Sequence, residues 1–259
     1  MDQLLFATYQ DDVALRIQKA QESGCGLELH TFTDPKTLTN NLANHLRQHK
    51  TLLADFSGTL GLHGAFYDMI SASVDPEIVA ITRRRYEQNL WIARELKARY
   101  IVFHANYMGT FKLVNYRAGW HERQVAFWES FIKQAAEVGI YILLENMWED
   151  DPSVIIDVIQ AVNHPHLRAC LDVAHATLFS DRPIQEWIEQ FAPFLFCCHL
   201  NNHDGSLDLH WPLSRGCVDY RAVLQLLRHL PMPPLMTLEM SNWDSIEKSL
   251  NYFELAKSS

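Results

Sequence analysis

Six apolar runs in this sequence each end on a side chain of a type that binds divalent metal ions. These terminal residues are His63, His104, Glu145, Asp172, His199 and Glu239. Neighbouring members lie about 27 to 41 residues apart, a reasonable length for one strand-and-helix repeat. Carboxylates and imidazoles without thiolates suit zinc, manganese and similar ions, so the pattern predicts a metal site.

Three more residues of the same chemical types fall beside these strand ends. His175 follows Asp172 by three residues, and Asp208 and His210 stand together after the seventh strand. The full set of nine offers enough oxygen and nitrogen atoms for one to three ions. We therefore expect a divalent metal cofactor, zinc or manganese, with one to three ions per chain.

Eight short apolar runs alternate with longer amphipathic stretches along the chain. The predicted strands are 4–9, 26–32, 60–66, 100–105, 141–147, 168–173, 194–201 and 235–240. Eight such units predict an α/β fold, a closed (β/α)8 TIM barrel with parallel strands. Because all C-terminal strand ends of a barrel meet at one face, the ligand-type side chains would point at one small volume. An open doubly wound sheet is the alternative, but it calls for a glycine-rich loop directly after the first strand, and none is present.

Three helix starts carry a local signal. Asp34, Asp75 and Asp151 each stand before a proline, which is typical of a capping carboxylate followed by the first helical residue. The second of these signals begins a predicted helix over 76–98, where apolar residues recur on one face.

Length and composition indicate one globular domain. The chain has 259 residues, of which 48% are hydrophobic and 20% charged, so we expect a single barrel domain over 1–259. A formal net charge of −9 argues against a nucleic-acid partner. No apolar run reaches the roughly 18 residues of a membrane span, and the five cysteines lack ligand-pair spacing. We expect a cytoplasmic protein without a membrane partner, and its homo-oligomerisation stays open.

Several further residues have two interpretations or a structural one. Glu28 and His30 on the second strand either contact substrate or form a satisfied polar pair in the core. Cys197 and Cys198 are interpreted as strand packing rather than redox chemistry. Seven histidines in helical and linking segments are predicted to be solvated: His45, His49, His121, His164, His166, His203 and His229.

Five short motifs surround the ligand-type residues. They are His63-Gly64-Ala65-Phe66-Tyr67, Leu144-Glu145-Asn146, Cys170-Leu171-Asp172-Val173-Ala174-His175-Ala176, His199-Leu200-Asn201-Asn202 and Asp208-Leu209-His210-Trp211-Pro212-Leu213. With these motifs the chain, from about residue 60 to residue 240, resembles the xylose isomerase-like TIM-barrel superfamily. That superfamily contains sugar and sugar-phosphate isomerases and epimerases, together with the endonuclease IV type of apurinic endonuclease (AP endonuclease family 2).

The resemblance implies two alternative sites. In the isomerases and epimerases one metal is held by the positions that match Glu145, Asp172, His199 and Glu239. There Glu145 and Glu239 would be the acid/base pair that moves a proton between carbons next to a carbonyl. The endonuclease IV branch implies three zinc ions and hydrolysis of a phosphoester. Its ligand sets would be His63, His104 and Glu145; then Glu145, Asp172, His199 and Glu239; and then His175, Asp208 and His210.

The sequence departs from the endonuclease pattern in the segment after Glu145 and in Ser214-Arg215-Gly216. Arg215 pairs either with a substrate phosphate or carboxylate or with a surface acid. Tyr67 and Trp211 either stack on a sugar face or pack against the protein. With its short loops, the sequence favours an isomerase or epimerase of a small sugar or sugar phosphate.

The alternative is a trinuclear zinc phosphodiesterase or phosphatase, and a third class is a barrel that binds a ligand without catalysis. The number of metal ions separates the first two hypotheses. A glutamate that bridges two ions is not free to move protons.

Overall fold

Eight parallel strands pair in the order of the sequence and close into a barrel in the computed structural model, which describes residues 3–9 and 11–253. The strands are β1 (Leu4–Thr8), β2 (Gly26–Leu29), β3 (Leu60–His63), β4 (Tyr100–His104), β5 (Tyr141–Glu145), β6 (Leu167–Asp172), β7 (Leu195–Leu200) and β8 (Leu235–Leu238). β1 pairs with both β2 and β8, which closes the sheet. The predicted (β/α)8 barrel is therefore confirmed. The predicted domain also includes residues 1, 2, 10 and 254–259, which lie outside the described residues.

Helices connect the strands. In the described ranges they are α1 (Val13–Ser23), α2 (Pro35–Thr39), α3 (Leu42–Leu52), α4 (Pro76–Leu96), α5 (Tyr116–Glu137), α6 (Ser153–Val162), α7 (Val173–Phe179), α8 (Ile184–Phe191), α9 (Tyr220–Arg228) and α10 (Trp243–Ser249). Short 3-10 turns lie at Thr31–Thr33 and Leu250–Tyr252. No helix within residues 3–9 and 11–253 has the length and apolar character needed to cross a membrane.

The predicted helix starts agree with the structure to within one residue. Asp34 and Asp75 cap α2 and α4 by accepting a bond from the backbone N–H two residues on, at 2.8 Å each. Asp151 accepts from the N–H of Ser153 at 2.9 Å, so α6 begins one residue later than expected. α4 ends at Leu96 because Lys97 has a left-handed backbone with φ 59°.

The ligand-type residues lie where the strands end. The last residues of β3, β4, β5 and β6 are His63, His104, Glu145 and Asp172. His199 is one residue from the end of β7, and Glu239 directly follows β8. The predicted strands extended too far because apolar residues such as Phe66 and Met147 continue the hydrophobic pattern into loops at the barrel mouth.

Packed side chains fill the barrel below the ligand-type residues. This layer contains Leu5, Tyr100, Val102, Leu143, Cys170, Cys197 and Leu235. Gly61 makes room for the Tyr100 ring, because a Cβ at Gly61 would lie 2.2 Å from a ring carbon. Cys198 belongs instead to the larger hydrophobic core of the protein, and both thiols of the Cys197-Cys198 pair are fully buried. The two cysteines are therefore part of the packing, and the layer forms a floor beneath the ligand-type side chains.

Candidate metal centre

Glu145 lies at the centre of the ligand-type side chains. Its Oε2 atom is 3.3 Å from His63 Nε2 and 3.1 Å from His104 Nε2. Its Oε1 atom is 2.9 Å from His199 Nδ1. We call His63, His104 and Glu145 the histidine group. The two oxygens of Glu145 therefore face two different sets of ligand atoms.

A second set, the core group, consists of Glu145, Asp172, His199 and Glu239. One ligand atom from each member lies within 4.8 Å of those of the others. Nδ1 of His199 is 3.2 Å from Oε2 of Glu239. The Asp172 carboxylate is fixed on both sides, since Oδ1 accepts from the His175 N–H at 2.7 Å and Oδ2 from Asn201 Nδ2 at 3.1 Å. All four side chains are buried.

A third set, the outer group, consists of His175, Asp208 and His210. Asp208 lies between the two imidazoles, each Nε2 being 3.3 Å from one of its carboxylate oxygens. His210 has a left-handed backbone with φ 46°, which is uncommon for a residue other than glycine and is kept only where the surrounding structure requires it. Its Nδ1 bonds to the backbone carbonyl of Glu239 at 2.8 Å, which holds the loop against the core group.

Backbone carbonyls orient three of the histidines. Nδ1 of His63 is 3.0 Å from Gly64 O, and Nδ1 of His175 is 3.0 Å from Asn146 O. His210 makes the equivalent bond described above. Because a carbonyl oxygen only accepts, Nδ1 carries the proton in each case and Nε2 is left to act as a ligand.

Asn146, the residue after Glu145, supports two members of the centre. Its side-chain amide donates to the backbone oxygen of Asp172 and accepts from the Asp172 N–H, both at 2.9 Å. Its own carbonyl fixes the His175 ring. The side chain of Asn146 thus joins the end of β5 to β6, and its backbone carbonyl orients the His175 ring in the first turn of α7.

The charges of the centre compensate one another. Burial by itself raises the pKa of Glu145, but His199 and His104 outweigh it and hold the pKa well below its ordinary value. In the same way His199 and His210 overcome the burial of Glu239 and lower its pKa to about 2. Burial disfavours the charged form of His175, yet Asp172 and Asp208 raise its pKa to about 10.

Two buried oxygen atoms of the core group lack hydrogen-bond partners. They are Oε2 of Glu145 and Oε2 of Glu239. Leaving a buried acceptor unsatisfied costs about 1–3 kcal/mol, and more for a charged group, whereas a divalent cation bound beside such an oxygen would satisfy it. The core-group side chains therefore fit a divalent ion, and the neighbouring groups offer further nitrogen and oxygen atoms of the same types.

A fourth set of ligand-type atoms lies below His199. Cys170 and Cys197 come within 4.8 Å of that ring. Burial raises the pKa of the Cys170 thiol well above its usual range, and Nε2 of His199 is already 3.0 Å from Glu28. A neutral thiol beside an occupied nitrogen is a poor cation site, so this set is a weaker candidate than the groups on the other side of His199.

A cavity of about 400 Å³ opens above the metal centre. Six of the ligand-type residues line it: His63, His104, His175, Asp208, His210 and Glu239. The remaining lining residues are Tyr9, His30, Thr33, Phe66, Tyr67, Met147, Leu209 and Ser241. The rings of Phe66 and Tyr67 lie 4.1 Å apart at 32° and form one wall. Phe66 and Met147 could have been found from the sequence, since they are the apolar residues at the ends of two predicted strands.

Three residues expected to contact substrate lie elsewhere. The guanidinium of Arg215 stacks 3.6 Å above the Trp211 ring, and neither side chain lines the cavity. The backbone of Trp211 pairs with Asn202 at 2.8 and 3.0 Å, which fixes the loop that carries Asp208. Glu28 is fully buried on β2, so it is a satisfied polar group rather than a substrate contact. Only Tyr67 of the expected set is placed at the cavity.

Two histidines predicted to be solvated are in fact buried. His49 bonds through Nδ1 to the carbonyl of His45 at 2.8 Å and through Nε2 to Thr31 at 3.1 Å. His203 Nε2 is 2.8 Å from the hydroxyl of Thr177. Each ring has local hydrogen-bond partners, and this is why burial of the polar side chain is tolerated.

Solved structures share the fold over nearly the whole chain. The TTHB071 protein from Thermus thermophilus, soaked with ZnCl2, is 28% identical and covers 96% of each chain with a TM-score of 0.79. A D-tagatose 3-epimerase-like protein is 18% identical over 96% of this chain and 94% of that chain, with a TM-score of 0.81. The IolI protein with a bound zinc atom is 15% identical over 96% of each chain, with a TM-score of 0.76. The last two likenesses concern the fold alone.

A family model accounts for most of the sequence. No curated protein sequence matches the chain. The model described as xylose isomerase-like TIM barrel matches residues 17–255, a range that contains strands β2 to β8 and all nine ligand-type residues. This agrees with the resemblance found from the motifs. The chain belongs to the xylose isomerase-like TIM-barrel family.

Proposed function

We propose that this chain is a divalent-metal-dependent hydrolase of small phosphoesters with three adjacent metal positions. The observation that carries the proposal is the position of Glu145, whose two oxygens face different ligand groups. A carboxylate that joins two ions is not free to move a proton at a substrate carbon, as an isomerase or epimerase requires. Asp208 and His210 support the same reaction because a one-metal site has no use for them.

Divalent ions held side by side supply the positive charge that stabilises the attacking and leaving oxygens of a phosphoester displacement. The contribution of the chain is orientation. Carbonyl bonds to Nδ1 keep the Nε2 atoms of His63, His175 and His210 directed at their carboxylates. Such fixed ligands need no rearrangement when charge develops during the reaction.

The cavity suggests a small anionic substrate. Among the described residues that line it, none is lysine or arginine, so bound cations would be the positive partners of a phosphate. Its volume of about 400 Å³ suits a small molecule better than a duplex. The adjacent rings of Phe66 and Tyr67 offer an apolar face for a sugar-like body. We infer a carbohydrate-like phosphoester as the substrate class.

A metal-dependent isomerase or epimerase of a small sugar is the second candidate. One observation favours it: Nδ1 of His199 lies 2.9 Å from Oε1 of Glu145 and 3.2 Å from Oε2 of Glu239, so the two carboxylates flank one ring as an acid/base pair around one ion would. The D-tagatose 3-epimerase-like protein of the same fold gives it further support. In that reaction only the core group would bind metal.

The number of bound ions tests the two candidates. Purified protein is loaded with zinc or manganese, dialysed, and analysed by inductively coupled plasma mass spectrometry. The hydrolase predicts three ions per chain, and a single ion per chain would overturn it. Aryl phosphate mono- and diesters, sugar phosphates and an abasic-site duplex are then tested for hydrolysis, and ketoses are tested for deuterium uptake from heavy water.

Substitution in the outer group separates the reactions further. Asp208→Asn is expected to remove one ion and most hydrolysis, because both outer histidines lose their shared carboxylate. The matched control is Asp204→Asn. Asp204 is an exposed residue of the same loop, its carboxylate accepts from the Ser206 N–H, and it lies outside the three groups. Deuterium uptake that survives in Asp208→Asn would instead support the epimerase.

A further inference from the structure

Glu28 is a buried carboxylate directly beneath the core group. It lies on β2 and is fully buried. Its Oε2 accepts from the hydroxyl of Tyr100 at 2.8 Å, and its Oε1 is 3.0 Å from Nε2 of His30. The Thr237 hydroxyl lies 3.4 Å from Oε2. These bonds fix the carboxylate in one position although it lies outside the cavity lining.

His199 stands between Glu28 and the metal positions. Its Nε2 is 3.0 Å from Oε1 of Glu28, while its Nδ1 is 2.9 Å from Glu145 and 3.2 Å from Glu239. An ionised carboxylate only accepts, so Nε2 has to carry a proton in this contact. Nδ1 faces the carboxylates of Glu145 and Glu239, so an ion bound by the core group would take the place of a proton on Nδ1.

We propose that Glu28 is a positioning residue that holds the His199 ring in its Nε2-protonated form and so presents Nδ1 to the core-group metal ion. The other three oriented histidines use neutral backbone carbonyls for this purpose. A carboxylate partner also raises the basicity of the ligand ring, and loss of such partners weakens metal binding about 10- to 100-fold in metalloproteins. Glu28 therefore contributes affinity without contacting the ion or the substrate.

Tyr100, a residue of the packed layer beneath the ligand-type side chains, helps to hold Glu28 in place. Tyr100 can lie inside the barrel because Gly61 leaves space for its ring, and its hydroxyl then reaches Glu28. The same Glu28 oxygen that faces His199 also faces His30, whose Nδ1 is 3.8 Å from Glu239. The Glu28 carboxylate thus orients the rings of His199 and His30, and both rings lie near Glu239.

The inference rests on the metal site of the proposed function and not on its reaction, so it is tested by metal binding. Zinc affinity is measured by competition with a chelator for the full-length protein and for Glu28→Leu and Glu28→Gln. Thr82→Val is the control, because it removes a partly buried hydrogen bond, donated by the Ile70 N–H, in which no residue of the three groups takes part. Long-range 1H–15N spectra of the zinc-loaded proteins report the proton on Nε2 of His199 and the metal on its Nδ1.

We expect Glu28→Leu to weaken zinc binding about tenfold or more and Thr82→Val to leave it unchanged. Glu28→Gln keeps an oxygen that accepts from Nε2, and the hydroxyls of Tyr100 and Thr237 can rotate to accept from its NH2. That variant should keep the Nε2 proton signal and lose less affinity than Glu28→Leu. Parental affinity in folded Glu28→Leu would overturn the inference.

The spectra decide the case if Glu28→Leu does not fold. A protonated Nε2 in zinc-loaded parent and Glu28→Gln supports the inference, and an unprotonated Nε2 in the parent overturns it. A protein that binds zinc in this way yet hydrolyses no phosphoester would contradict the proposed function alone.

Discussion

Glu149 is a buried carboxyl group that joins two loops at the barrel mouth, and its proton makes stability depend on pH. Oε1 accepts from the N–H of Tyr107 at 2.7 Å, in the loop after β4. Oε2 accepts from the N–H of Met147, which lines the cavity. Burial raises the pKa of Glu149 to about 7 from 4.5, although the two N–H donors act in the opposite direction.

The size of the effect follows from this shift. Between about pH 4.5 and 7 the folded protein keeps a proton that the unfolded chain has lost. The stabilisation is therefore complete below pH 4.5 and is lost as the pH rises through 7. A shift of about 2.5 pKa units corresponds to roughly 3 kcal/mol in the free energy of unfolding.

Urea unfolding of chelator-treated protein between pH 4.5 and 8 measures this contribution. Glu149→Gln has no proton to lose, and its NH2 group opposes a backbone N–H at a cost of about 1–3 kcal/mol at every pH. We expect the variant to have a lower free energy of unfolding than the parent at pH 5. Between pH 5 and pH 8 the parent should lose roughly 3 kcal/mol relative to the variant. The same change at exposed Glu129 on α5 should give a constant difference. Parallel curves for parent and Glu149→Gln would refute the reasoning.

Three further predictions concern single substitutions. Glu239→Gln should abolish activity with little change in melting temperature, and an active variant would exclude Glu239 from the site. Gly216→Ala should lose the outer-group ion and keep the core-group ion in metal analysis, because Gly216 has φ +134° and its Cβ would lie 2.3 Å from the Asn202 amide that holds this loop. Full metal content would contradict this role of the loop. Phe103→Ala should cost about 3–5 kcal/mol in urea unfolding, since the buried ring stacks 3.9 Å from Tyr86. A loss below about 1 kcal/mol would show that this contact contributes little.

The barrel and the position of the ligand residues could be predicted because they depend on local patterns. Strand and helix periods alternate eight times, and a polar residue at a strand end must lie at the mouth of a barrel. The strand ends themselves were wrong by a few residues, as at Phe66, because an apolar side chain that covers a cavity looks the same in sequence as one inside a strand.

Long-range hydrogen bonds could not be predicted. The role of Glu28 depends on a contact with His199, which is distant in sequence, and no spacing rule connects β2 with β7. Arg215 illustrates the opposite case, since its charge suggested a substrate partner but the neighbouring Trp211 ring takes the guanidinium. Burial of His49 and His203 likewise depends on hydroxyl groups of other elements.

The outer group differs from the core group in how its ligands are encoded. Three of the core-group residues lie on three different strands and the fourth, Glu239, directly follows β8, so each depends on the closed barrel. Asp208 and His210 come from a single loop between β7 and α9, fixed at its base by the pairing of Asn202 with Trp211. Shortening that one loop would delete two ligands together and leave every strand intact. Under the proposed function, the number of ions that this barrel binds is therefore a trait that a single deletion or insertion could change in evolution or in engineering.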